Sequence, residues 1–169
     1  MSNAKLPLPI KRRFCFDTSA FSHMWIRHYP RENFPNLATN FEDLVAQGVV
    51  ISVEEVLNEL SREDRHGLAE WGDAHKKMFL RPDDCQIEKA QEIIHKYPKF
   101  LDHEKEYFDA DPYIVALAMC EGCVVVHEER ARNLKQHPDT IPKIPDICDV
   151  YGIEDLSVLE FIKEQKWIF

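Results

Sequence analysis

No stretch of this 169-residue chain is apolar for long enough to span a bilayer. Its first residues also lack the apolar block of a signal peptide. Both absences point to a cytoplasmic protein with no membrane partner. Phosphate-cradling loops are missing too, for there is neither a P-loop nor a GxGxxG. Without HExxH or GxSxG, the zincin metalloproteases and the elbow-type serine hydrolases drop out. No internal repeat or low-complexity segment appears. Positive charge is scarce: 21 Lys and Arg stand against 30 Asp and Glu, a net charge of −9. A broad phosphate-binding surface is therefore not expected. The balance is uneven, since residues 1–40 carry six basic and two acidic residues and the remainder carries 15 and 28.

Cysteine is sparse and odd in number. Cys15, Cys85, Cys120, Cys123 and Cys148 sit mostly among apolar neighbours, which predicts reduced, packed thiols rather than a disulfide framework. Cys120-Glu121-Gly122-Cys123 forms a lone CxxC. With no second pair it reads as packing and not as a metal or redox site.

What is present describes a soluble globular chain, 44% hydrophobic and 30% charged, long enough for one domain with a real core. Residues 1–11, with Pro7 and Pro9, read as an extended tail. Phe14-Cys15-Phe16 reads as a short buried strand, and Val49–Ile51 and Cys123–His127 as two more. Helical spacing marks Phe34–Gln47, a segment from about Ser52 to Arg62, Gly67–Phe79, Ile87–Tyr97, the apolar run after Asp111-Pro112, a short element at Ile144–Val150 and a final helix near Leu156–Gln165. The stretch 99–110 is charged and irregular. Strands alternating with helices predict an α/β domain with a parallel central sheet.

Acids fall where such a sheet places its ligands. Asp17 follows the first strand, beside Thr18 and Ser19, whose hydroxyls can cap a helix or orient the carboxylate. Glu55 and Glu59 share a helix face, Asp109 and Asp111 lie at a helix start, and Glu128 and Glu129 follow the third strand. Several of these acids have plainer explanations. Glu55 would complete a capping box with Ser52, and Asp111 would be an N-cap ahead of Pro112. Asp109, Glu129 and Glu54 read as solvated charge. Glu59 and Glu128 have no such alternative. Clustered carboxylates repel one another unless a cation neutralises them, and Mg²⁺ or Mn²⁺ suits an all-oxygen site.

The order strand-Asp17-Thr18-Ser19, then Asn58-Glu59-Leu60, then Asp111-Pro112-Tyr113-Ile114-Val115-Ala116-Leu117-Ala118, then Val124-Val125-Val126-His127-Glu128 resembles the PIN domain. It is similar to a VapC-like branch that also shares Lys143-Ile144-Pro145-Asp146-Ile147-Cys148 and Tyr151-Gly152-Ile153. The resemblance runs from about Phe14 to Phe161. It implies a three-layer α/β/α sandwich whose acids hold Mg²⁺ or Mn²⁺ to hydrolyse RNA. By that resemblance Asp17, Glu59, Asp111 and Glu128 are the metal ligands and catalytic acids, and Thr18 or Ser19 supports the first Asp. It also implies a cognate antitoxin protein as partner and a homodimer. For phosphate contact the candidates are Arg13, Arg130 and Arg132, with Arg12, Arg27, Arg31 and Lys135 behind them. The fourth acid is Glu where the family usually has Asp, and the body is acidic. Both departures leave open a catalytically degenerate binding module. A haloacid-dehalogenase-type phosphatase also starts with strand and Asp, but it needs a second Asp where this chain has Ser19.

Overall fold

The computed structural model describes residues 11–62, 66–101 and 109–169. The predicted tail lies almost wholly outside them, as does most of the charged stretch before Asp109. The first strand, β1 (Phe14–Phe16), leads through α1 (Thr18–Ser22) and a π-helical turn to α2 (Pro35–Ala46) and then β2 (Val50–Val53). Next come α3 (Glu54–Arg62), α4 (Leu68–Ala74), β3 (Phe79–Leu80) and α5 (Asp84–Lys96). The chain closes with α6 (Asp111–Glu121), β4 (Val124–Val126), α7 (Ile144–Tyr151), β5 (Asp155–Leu156) and α8 (Val158–Glu164).

All five strands are parallel, in the order β3-β2-β1-β4-β5. The chain builds outward from β1 in one direction and then returns to build in the other. The switch point therefore falls between β1 and β4, where Phe16 lies opposite Val126. In open α/β sheets the crevice beyond the carboxyl ends of such strands is the usual ligand position.

Side-chain alternation separates two helical layers. Phe14 and Phe16 point to one face, where Phe16 meets Phe41 of α2 and Phe161 of α8 edge-on, with ring centroids 5.1 and 5.0 Å apart. Aromatic pairs favour that geometry. The other face is covered by α6, against which α5 and α7 pack. Of these α6 is buried almost all round, through Ile114, Val115, Ala116, Leu117 and Ala118. A helix apolar on every side belongs in the middle of a layer. Gly122, at φ +65°, ends it in the left-handed conformation that a Cβ would strain. The result is a three-layer α/β/α sandwich.

Three local expectations need correction. Ser52 is not an N-cap: β2 continues through Val53, and the buried Ser52 hydroxyl instead donates to the carbonyl of Phe16 on the neighbouring strand at 2.6 Å. The predicted helix Gly67–Phe79 breaks after Ala74, and Phe79-Leu80 pairs with Ser52-Val53 as β3. The thiols are not all reduced, because Cys85 in the first turn of α5 is disulfide-bonded to Cys120 in the last turn of α6. Two antiparallel helices in contact bring those positions together. Cys15, Cys123 and Cys148 remain free and buried.

Candidate acidic site at the carboxyl edge of the sheet

Asp17 leaves β1 at the switch point and caps α1, its Oδ1 accepting the Ala20 N–H at 2.7 Å. The capping role and a ligand role therefore fall on the same side chain. The Ser19 hydroxyl donates to the Asp17 carboxylate at 2.8 Å and accepts the Glu128 N–H at 2.9 Å, linking the ends of β1 and β4. Asp17 is 3% exposed. Burial raises its carboxyl to about 6, against the pull of the Ala20 and Ser19 hydrogen bonds and of His127.

Glu59, buried in the middle of α3, takes the Thr18 hydroxyl on Oε2 and the Ala110 N–H on Oε1 at 3.3 Å. It thus ties α3 to the start of α6. Thr18 and Ser19 divide their work: Ser19 orients Asp17 and Thr18 orients Glu59.

Asp111 is the first residue of α6, not its cap. It is half-buried, with no carboxylate hydrogen bond among the described residues. Its carboxyl sits well above the usual range, first through burial and then through the charges of Asp109, Glu129, Asp17 and Glu59. Those named charges define the cluster, with five carboxylates drawn from β1, α3, the approach to α6 and the segment after β4. Asp109 is 3% exposed, so it is not solvated charge. Its Oδ1 lies 3.5 Å from the Asp111 N–H.

The two glutamates after β4 part company. Glu128 Oε1 accepts the Val158 N–H at the start of α8 at 2.7 Å, and its Oε2 lies 3.3 Å from His23 Nδ1. Glu129 is the one whose charge bears on both Asp17 and Asp111. It is held by the Ile144 N–H at 2.9 Å and by Lys143 at 3.2 Å. The acid brought to Asp17 and Asp111 from this segment is thus Glu129, and Glu128 is taken up by α8. Glu55, freed from any capping box, keeps one buried carboxylate oxygen without a hydrogen-bond partner among the described residues. Its carboxyl is raised by burial.

Of the arginines, Arg13 lies at the opposite end of β1, ion-paired with Glu121 at 2.9 Å. It is not brought to the acids. Arg130 and Arg132 are exposed in the segment following Glu129. Two residues escaped the sequence reading. His127 is buried, its Nε2 2.8 Å from Asp155 and its Nδ1 accepting the Glu129 N–H at 3.1 Å. That pattern places the neutral-ring proton on Nε2. Burial works against its protonation, but Asp155 and Asp17 outweigh burial and leave it raised. Asp146, also buried, takes the Arg132 and Asn133 N–H groups on Oδ1 and the Lys143 N–H on Oδ2. It shapes the loop that presents Glu129. Asp146 lies in a motif already visible in the sequence, but its partners are backbone groups that no pattern reveals.

In kind, these donors fit a hard divalent cation: buried carboxylates with raised protonation are what a cation would relieve. In spacing they fall short, because no three His, Cys, Asp or Glu side chains among the described residues are close enough to hold one ion together. No helix among those residues is long and apolar enough to cross a membrane.

No curated protein matches the chain. Among solved structures it is similar to the crystal structure of PAE2754 from Pyrobaculum aerophilum, at 12% identity and a TM-score of 0.45, over 92% of this chain and 97% of that one. The model of the family described as a domain of unknown function (DUF4411) matches residues 14–169, and the protein belongs to that family.

Proposed function

We propose that this domain is PIN-like and acts as a VapC-type endoribonuclease, hydrolysing RNA phosphodiester bonds with Mg²⁺ or Mn²⁺. The observation that carries the reading is the convergence of Asp17, Glu59, Asp111 and Glu129 on the switch point, with Asp17 and Asp111 held above the usual carboxylate range. Those four are the candidates to hold the cation, although as their side chains stand no three of them share one ion. When bound, it would neutralise them and lower the barrier to attack by water on phosphorus. The rest is done by the chain. Ser19 and the Ala20 N–H fix the Asp17 carboxylate, and Thr18 and the Ala110 N–H fix that of Glu59. Arg130 and Arg132, exposed just beyond Glu129, would supply the phosphate contacts. An antitoxin and a homodimer are carried by the family resemblance alone.

The test is cleavage of single-stranded RNA by purified protein with Mn²⁺, comparing wild type with Asp17→Asn and Asp111→Asn. The reading predicts a loss of at least 100-fold in either variant. Equal cleavage by all three would sink it. A second reading has its own observation in the spacing of the acids, which leaves no three of them sharing a cation site. A degenerate PIN-like binding module would bind RNA without cutting it, and binding unchanged in Asp17→Asn would favour that reading.

A further inference from the structure

Away from the acids, α5 ends on Lys96 and is followed by a 3₁₀ turn over Pro98–Phe100. Together with the segment between β4 and α7, these residues line an open surface pocket of about 420 Å³. That is within the range of small-molecule sites. The wall is apolar through Tyr97, Leu134, Pro138 and Pro142, while three cations line it: Lys96, Lys99 and Lys135. Three lysines around one cavity are unexpected in a chain of net charge −9.

Their partners sharpen the point. Lys135 pairs with Asp149 at 3.2 Å, across two exposed side chains. Among the described residues Lys99 donates to the Asp139 carbonyl at 3.1 Å. Lys96 Nζ lies 5.4 Å from the ring centroids of both Tyr97 and Tyr151. Neither Lys96 nor Lys99 makes an ion pair with a carboxylate among the described residues. Lys96 feels the charge of Glu92 without touching it, and two ammonium groups so weakly neutralised on an apolar cavity favour a ligand with an anionic group on a flat, poorly hydrated body. Phosphate alone would leave the wall empty, and an uncharged aromatic would leave the lysines unused.

We propose that this cavity binds a phosphate ester of nucleotide size, a nucleoside monophosphate being the simplest form, with the phosphate on Lys96 and Lys99 and the base against Tyr97 and Leu134. The site does not depend on the carboxylates. It adjoins them, because Pro142 lines the cavity and the next residue, Lys143, holds Glu129.

Isothermal calorimetry of the full chain with AMP, adenosine, inorganic phosphate and a hexaglutamate peptide tests this. AMP should bind at least tenfold more tightly than each of the other three. The double variant Lys96→Gln/Lys99→Gln, altered only at exposed side chains, should lose at least tenfold in AMP affinity with an unchanged melting temperature. Asp17→Asn should bind AMP as wild type does, which separates this site from the acidic one. No AMP binding, equal binding of adenosine or phosphate, tighter binding of the peptide, or an unaffected double variant would each overturn the proposal.

Discussion

The two edges of the sheet are built on opposite electrostatic plans. At the amino-terminal edge, Arg12 pairs with Glu154 and Glu164, and Arg13 pairs with Glu121. There the Cys85–Cys120 disulfide also ties α5 to the end of α6. At the carboxyl-terminal edge acids meet acids, with Lys143 and His127 among the groups set against five carboxylates. Opposite charges a few ångströms apart settle a fold, and like charges under burial unsettle it. An edge that keeps Asp17 buried and Asp111 half-buried, both with raised carboxyls, is one the rest of the fold must stabilise, as expected of a functional site.

The comparison breaks most readily at the disulfide. Closing a loop across 35 residues of sequence separation stabilises a chain by roughly 4 kcal/mol in the chain-entropy account. Cys85→Ala should therefore lower the unfolding free energy by about that much in urea melts, and thiol titration of the denatured wild type should find three reactive groups instead of five. A variant as stable as wild type would remove the stapled edge from the argument.

At the other edge the sign reverses. The Asp17 carboxyl is raised from 3.8 to about 6 in the folded chain. Between those values the folded state holds more protons than the unfolded state, so stability falls as pH rises from about 4 to 6. The loss is about 3 kcal/mol and persists above that window. Asp17→Asn should accordingly be more stable than wild type at pH 7.5, by up to about 3 kcal/mol, and should lose that advantage below pH 4. Denaturant melts at the two pH values would show it.

Smaller effects sharpen the contrast. Ser52→Ala removes the buried hydroxyl that joins β2 to the end of β1 and should cost about 1–2 kcal/mol at the carboxyl edge. Arg13→Gln removes an ion pair about one-third exposed on both sides. It should cost no more than about 1 kcal/mol in the same melts, and less at high salt.

The legibility of the fold followed the length of its signals. The strand β1 was visible as an unbroken apolar run, and so were β2 and β4. The helices α2 and α5 showed by periodicity and by their Gly and Pro stops, and α6 as an apolar run opening on Asp111-Pro112. Strands β3 and β5 have two residues each, too few for any period, and exist because a neighbour pairs with them. Asp17, Glu59 and Asp111 could be picked out because each lies at a strand end, amid an apolar helix face or at a helix head. Asp109 and Glu129 read as surface charge because their burial comes from tertiary packing around the start of α6. The choice between Glu128 and Glu129 rests on which carboxylate α8 claims. That depends on a contact thirty residues along the chain. Cys85 and Cys120 needed the antiparallel pairing of α5 and α6, which no local pattern reports.

The central proposal is that the acidic carboxyl edge binds a cation, and calorimetric titration with Mn²⁺ at pH 7.5 tests it most directly. The account predicts saturable binding with release of protons from the raised carboxyls. It further predicts that this binding is lost in both Asp17→Asn and Asp111→Asn. No binding by the wild type, or equal binding by wild type and both variants, would contradict it.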